Sequence, residues 1–545
     1  MGHASVTREA DPVADDDERG LLVSRAGVVG AGTLLSRVLG LGRDATIAAL
    51  FDRTQTDAFW IAFTIPTALR QLFAEGATLS AVVPILTGKL ATESEDSAKA
   101  FYARARAVSL VALLVVTLLG VVFADTLTET FAAGFRATPG QFERTAELTR
   151  VVFPYVFFMG TAAMGTAALN AKRRFAVAAF APGLLNLGII ALAIFLRTPL
   201  EVRGIDTVIA LGVGVLVGGA LQVIAQLPSL YKLGFLGRPI LDLRDPAVRD
   251  MLRRILPMTF GIGVYYIDLV LSRRLLSELG EGAQSYFSWA MRVCDFPQGI
   301  FVMAISTAAL PSLATLAAKG DLDGLARTYA HGMRLSMFVA IPASVALVVL
   351  GEPLVVLLFQ RGQFDSHAAH ETARSLAWQG GAIFTVAAVR QLVPTLYALG
   401  DTRTPVIVSV LDSVAFIALA VGLRRPFGHV GVSVAIFGST VIQMVLLFFA
   451  LRRRLGTIRA REIGRASAGI VVASIAAAAL GHVSAGVVSG LSSALGRALP
   501  GLVGGIVFSA AYIGVLRMIG SRELDELTAS FKRRLGRSAA PPLTS

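Results

Sequence analysis

Residues 107–124 read AVSLVALLVVTLLGVVFA. The stretch carries no charge and is rich in Leu, Val and Ala. About 20 mostly apolar residues suffice to cross a bilayer as a helix, and a run this long without period-two alternation is no strand. Working outward, about fourteen such runs follow one another. They lie near 24–51, 56–91, 100–126, 145–171, 176–197, 205–231, 251–279, 284–317, 325–359, 368–399, 403–424, 429–452, 463–488 and 495–520. The expectation is an all-α polytopic membrane protein with about 14 transmembrane helices. Composition agrees: of 545 residues, 54% are hydrophobic and 16% charged, against about 25% charged in soluble chains. Mean hydropathy is +0.68. A soluble enzyme and a disordered chain are both excluded. The net charge of +13 sits mostly in the short gaps between runs, so it reads as membrane topology rather than nucleic-acid binding. The lone cysteine, Cys294, permits no intrachain disulfide and reads as a small core residue.

Basic residues alternate between gaps. Gaps after even-numbered runs hold Lys172, Arg173 and Arg174, or Arg452, Arg453 and Arg454; gaps after odd-numbered runs are poorer. The positive-inside rule then places both termini in the cytoplasm, and an even helix count agrees. Residues 1–23 are polar and acid-rich, unlike a secretory signal, and read as a disordered cytoplasmic tail. Residues 521–545 read as a basic cytoplasmic tail. A weak internal repeat pairs Pro66 with Pro297, Pro84 with Pro311 and Leu169 with Leu396, at offsets of about 230 residues. Two six-helix lobes follow: an N-lobe over 24–231 and a C-lobe over 232–452, with helices 13 and 14 added over 453–520. Two such halves are a transporter plan, with the site expected at their interface near the midplane.

The informative residues are charges inside apolar runs: Arg37, Arg43 and Asp44; Asp57, Arg70 and Glu75; Asp268, Arg273 and Arg274; Arg292 and Asp295; Arg390; and Asp412. An Arg facing lipid at a helix centre costs about 2.5–3.5 kcal/mol. Two readings are open. Arg43–Asp44, Arg70–Glu75 and Arg292–Asp295 form local ion pairs, or the cations, clustered in runs 1, 2, 7 and 8, face a water-filled cavity. Such a cavity suits a polyanion, because Arg stays charged and contacts phosphate oxygens bidentately. Other motifs are weak. The glycines between Gly212 and Gly219 lie inside an apolar run and read as close helix packing. His367, His370 and Glu371 lack a zinc-protease order and read as a solvated loop. No phosphate-binding lysine loop or nucleophile elbow is present, so neither ATP hydrolysis nor enzymatic catalysis is expected.

Ser36-Arg37-Val38-Leu39-Gly40, Gly42-Arg43-Asp44-Ala45 and Thr56-Asp57-Ala58-Phe59 resemble the opening of the MurJ/MviN family. So do Leu69-Arg70, Phe73-Ala74-Glu75-Gly76-Ala77 and Val83-Pro84-Ile85-Leu86. Leu169-Asn170, Leu185-Asn186, Gln226-Leu227-Pro228, Phe296-Pro297, Leu310-Pro311-Ser312-Leu313 and Asp401 with Thr404-Pro405 extend the resemblance over roughly 24–450. It implies the multidrug/oligosaccharidyl-lipid/polysaccharide exporter superfamily and a flippase for lipid II, the undecaprenyl-diphosphate-linked peptidoglycan precursor, in the bacterial cytoplasmic membrane. By motif position it implies Arg37, Arg43, Arg70, Arg292, Asp57 and Glu75 as substrate-binding residues. Some relatives bind sodium in the second lobe, for which Asp268 and Asp412 are the matching positions. Many relatives carry Ala-Asp-Arg where this chain has Ala290-Met291-Arg292, which leaves the pairing of Arg292 open. The expected partners are lipid II, membrane lipids and peptidoglycan-synthesis proteins. The alternatives are a flippase for another polyprenyl-diphosphate glycan, a drug exporter, which the cations disfavour, or a membrane glycan polymerase or ligase, which would need a larger outer loop.

Overall fold

The computed structural model describes residues 12–70, 77–261, 263–299, 303–490, 494–526 and 528–529, which form helices and turns with no strand among them. In chain order these are α1 (Pro12–Leu50), α2 (Arg53–Arg70), α3 (Ala77–Thr92), α4 (Glu95–Val122), α5 (Ala124–Ala132), α6 (Gln141–Val152), α7 (Tyr155–Ala171), α8 (Phe175–Phe195), α9 (Arg197–Val202), α10 (Ile209–Lys232) and α11 (Pro246–Gly261). They continue as α12 (Gly263–Ser277), α13 (Ala283–Pro297), α14 (Met303–Ala318), α15 (Leu322–Val349), α16 (Gly351–Phe359), α17 (Ser366–Gly381), α18 (Ile383–Ala398), α19 (Arg403–Phe427), α20 (His429–Leu455), α21 (Ala460–Val487) and α22 (Ala494–Met518).

Ten stretches among the described residues are long and apolar enough to cross a membrane, accompanied by shorter apolar helices. The four remaining runs of the sequence reading, near 24–51, 56–91, 251–279 and 284–317, are the ones that carry the clustered cations. Three of them include positions outside the described residues, 71–76, 262 and 300–302, flanked by α2 and α3, by α11 and α12, and by α13 and α14. Helix α1 starts at Pro12, inside the stretch expected to be a disordered tail; once nucleated, a helix extends at little cost per residue. His367, His370 and Glu371 lie not in a loop but in the first turns of α17, which Asp365 caps by accepting the Ala368 N–H at 2.7 Å.

The chain divides into two compact units. The first comprises Met1–Thr46, Ala62–Leu127 and Thr145–Gly263; the second comprises Ile47–Ile61, Thr128–Arg144 and Val264–Ser545. In the first unit, α8 packs along α10 on glycines. A Cβ at Gly218 would stand 2.7 Å from Leu185 Cα, and one at Gly214 would stand 2.8 Å from Ile189 Cα. The glycine run is thus a packing seam, as its apolar setting implied. Gly218→Val is therefore expected to lower stability by about 1–3 kcal/mol through overpacking, read as a fall in Tm of the detergent-purified protein. Gly514→Val, where a Cβ meets nothing within 4 Å, should leave Tm nearly unchanged.

In the second unit, α12, α13, α19 and α20 share a core of Leu275, Leu276, Phe287, Phe416 and Val432. Tyr512 on α22 donates its hydroxyl to the Phe338 carbonyl of α15 at 2.8 Å. The turn into α19 is closed by Asp401, which accepts the Thr404 N–H at 3.0 Å and the Thr404 hydroxyl at 2.8 Å. Those bonds, with Arg454 at 3.2 Å, hold the Asp401 carboxyl below the usual carboxylate range.

Candidate functional site

Within the first unit the clearest polar site lies on α1. Arg43 is buried at 5% exposure, so its guanidinium needs partners. It donates from Nε to Asp44 Oδ1 at 2.7 Å and from Nη1 to Asn186 Oδ1 at 3.0 Å. Asn186 in turn donates to the Ser36 carbonyl at 3.0 Å, and the guanidinium lies 5.7 Å from the centroid of the Phe63 ring. The pair Arg43–Asp44 that the sequence allowed is therefore present, and Asn186 on α8 completes it. Sequence reasoning gave Asn186 no role, although an Asn within an apolar run is itself a signal of a buried partner. Arg37 lies half-buried on α1. Arg70 ends α2; its side chain, and all of Glu75, lie outside the described residues.

Within the second unit, Asp57 is 1% exposed and does a capping residue's work from another helix. Asp52 starts α2 by accepting the Gln55 N–H at 2.8 Å, which places Asp57 one turn in. Across from it, the turn into α13 passes through Gly282 at φ +86°, a left-handed conformation that glycine tolerates. The first N–H groups of α13 are then left without intrahelical acceptors. Asp57 accepts the Gly282 N–H at 2.7 Å, the Ser285 N–H at 2.8 Å and the Ser285 hydroxyl at 2.6 Å. A carboxylate at a helix N-terminus is further favoured by the helix dipole. Ser285 and Gly282 are partners of Asp57 that the sequence did not reveal, because nothing local links residue 57 to residue 285.

Farther along α13, Arg292 lies 5.5 Å from the centroid of the Trp60 ring and 3.4 Å from Asp295. Its side chain is 36% exposed, so solvent or ligand can reach it. Arg273 differs. It is buried, donating to Gln284 Oε1 at 3.2 Å and Ser288 Oγ at 2.7 Å, and so braces α12 against α13.

Asp268 on α12 accepts the Ser413 hydroxyl at 2.8 Å, and Asp412 directly precedes Ser413 on α19. Oδ1 of each of these two carboxylates is buried with no hydrogen-bond partner among the described residues. The two carboxylates and the Ser413 hydroxyl offer oxygen donors only. They would fit a hard cation such as sodium, which would offset the charge of two half-buried carboxylates. No group of three His, Cys, Asp or Glu suited to a metal occurs among the described residues.

At the N-terminal ends of α17 and α20, buried His429 lies 2.9 Å from Glu371 and 2.7 Å from the Ser375 hydroxyl. Helices α15, α18, α20 and α21 also wall a cleft of about 790 Å³ whose lining is almost wholly apolar, including Met333, Met337, Phe384, Met444, Phe448 and Val471. Its size is in the range of ligand pockets.

The family model described as lipid II flippase MurJ matches residues 47–494. A lipid II flippase MurJ of Burkholderia cenocepacia is 34% identical over 434 residues, which cover 77% of this chain and 82% of that protein. Among solved structures, one titled as lipid II flippase MurJ in an inward closed conformation gives a TM-score of 0.72 at 21% identity, covering 90% of this chain and 99% of its own. An inward-facing multidrug transporter of the MATE family, in the MOP superfamily, gives 0.65 at 15% identity, covering 78% and 95%. At those identities the structural likeness is one of fold.

Proposed function

This chain belongs to the MurJ family of lipid II flippases, and from that premise we infer that it carries lipid II from the inner to the outer leaflet of the bacterial cytoplasmic membrane. The observation that carries the reading is the family match across residues 47–494. It acts as a multi-pass transporter and not as an enzyme. The test is rescue: the chain is expressed in cells depleted of their own lipid II flippase. Growth is the expected result. Lysis despite verified membrane insertion would move the substrate to another polyprenyl-diphosphate glycan.

The mechanism we propose is alternating access with both termini in the cytoplasm, which the basic gaps support. Arg37, Arg43, Arg70 and Arg292 meet the diphosphate, with Glu75 as a further polar group. Guanidinium suits that role because its fork matches phosphate oxygens and its charge survives burial. Asp57 holds the N-terminal turn of α13 while the outer side is closed, and releases it when that side opens. The apolar cleft of the second unit takes the polyprenyl tail, since hydrocarbon laid against an almost wholly apolar lining gains the hydrophobic term without burying a charge. An inside-negative potential favours outward movement of the anionic head group by about 2.3 kcal/mol per charge per 100 mV.

We also propose sodium as the cation at Asp268 and Asp412. Sodium, set against choline at equal ionic strength, should then raise the Tm of the purified protein, because a ligand that binds only the folded state stabilises it. Asp412→Asn should remove that rise. A parent chain whose Tm ignores sodium would defeat the proposal.

A further inference from the structure

The α1–α2 turn is held from a second direction, by residues 360–365. That segment is built to be rigid. Arg361 donates to the Leu357 and Leu358 carbonyls, both at 2.9 Å, and so caps the C-terminus of α16. Phe364 is buried among Trp289 and Phe359, with ring centroids 6.3 and 5.8 Å away. Asp365 caps α17 with Oδ1. What remains free to act points at the turn. The Gln363 N–H donates to the Ala49 carbonyl at 3.0 Å, and Asp365 Oδ2 pairs with Arg53. Gly362 has φ +56°, and a Cβ there would run into the Ala49 carbonyl oxygen. Glycine at this position is thus required both by conformation and by the close approach of two backbones.

We propose that residues 360–365 are a clasp for the α1–α2 turn, and that Arg53, Asp365 and Gly362 are positioning residues that set how often the turn is released during transport. The proposal rests on the alternating-access reading above and deepens it. The division of labour follows from burial. Asp57 is buried, so its bonds are strong and define the closed state. Arg53 and Asp365 are 31% and 50% exposed, so their pair is weak and salt-screened. A weak contact adjusts an equilibrium without locking it.

The test is outside labelling of a single reporter thiol in intact cells, with a membrane-impermeant maleimide. Ala48→Cys in a Cys294→Ala background places the thiol at a position that is 2% exposed beside the clasped turn. Arg53→Gln and Asp365→Asn should each raise the labelling rate about two- to fivefold, the range an exposed ion pair supports. Asn at 365 keeps the α17 cap, so the loss reports the pair. The double variant should label no faster than either single one, because both remove the same contact. Gly362→Ala should raise labelling about tenfold or more, since it also breaks the backbone contact. Singles that label at the parental rate, or a double whose effect is the product of the singles, would overturn the clasp. Labelling that rises as expected in a chain unable to rescue lipid II transport supports the clasp while counting against the flippase reading.

Discussion

Asp57→Ala is expected to abolish rescue of flippase-depleted cells at near-parental membrane levels. The carboxylate accepts three hydrogen bonds at 2.6–2.8 Å from Gly282 and Ser285. Its removal leaves buried donors at the start of α13, each costing about 1–3 kcal/mol if unsatisfied. Water relieves part of that cost only when the turn opens, so the equilibrium moves toward the open state. A shift of about 3 kcal/mol changes a population ratio by roughly a hundredfold. Asp57→Asn should fail almost as badly. Three donors converge on two oxygens, and an amide presents one acceptor and turns an NH2 group against an N–H. Ser285→Ala removes only the hydroxyl and keeps its backbone N–H bond, so partial rescue is expected. The order Ala, then Asn, then Ser285→Ala in severity, measured as plating efficiency against membrane protein level, is the discriminating result. Equal rescue by Asp57→Asn and the parent would show that shape, not acceptor capacity, is what residue 57 supplies.

Periodic features were legible in the sequence, and long-range partners were not. Runs such as 107–124 announce membrane helices because hydropathy is a local property. The glycines of α10 announced a packing seam for the same reason. The cations of runs 1, 2, 7 and 8 were legible as anomalies, because a charge inside an apolar run is a local feature too. Partnership is another matter. Arg43 finds Asp44 next door, which spacing could show, but also Asn186, 143 positions away. Asp57 reaches 225 positions to Gly282, and Arg53 reaches 312 to Asp365. Only topology brings such residues together. The units make the same point. Ile47–Ile61 and Thr128–Arg144 belong by sequence order to the first half, yet they pack with the second unit. Their hold comes from contacts such as the Gln141 amide on the Thr54 carbonyl at 2.7 Å, which no periodicity encodes.

Arg37→Ala, Arg43→Ala and Arg70→Ala are each expected to eliminate rescue, with membrane levels near the parent. A charge-assisted hydrogen bond contributes about 1.5–3 kcal/mol, so losing a bidentate contact to the diphosphate should weaken binding by tenfold to several hundredfold. Lys should rescue partly at best, because an ammonium keeps the charge but not the planar fork. Arg453→Ala is the control: it is one of three arginines in the last turn of α20, where neighbours share its topological role. For Arg43 the structure allows a sharper separation. Its buried pair with Asp44 could be its whole purpose. Removing one member of such a pair is damaging in either case, since the other charge is left behind, whereas replacing both by apolar groups is often neutral. In an Asn186→Leu background, so that neither Asp44 nor Asn186 is left as a stranded partner, the double variant Arg43→Met, Asp44→Leu should therefore restore rescue if the pair is only structural. If Arg43 also meets the substrate, the double variant should insert normally, melt near the parent and still fail to rescue. Rescue by the double variant would remove Arg43 from the binding set; rescue by all three Ala variants as good as that of Arg453→Ala would remove the cationic mechanism altogether.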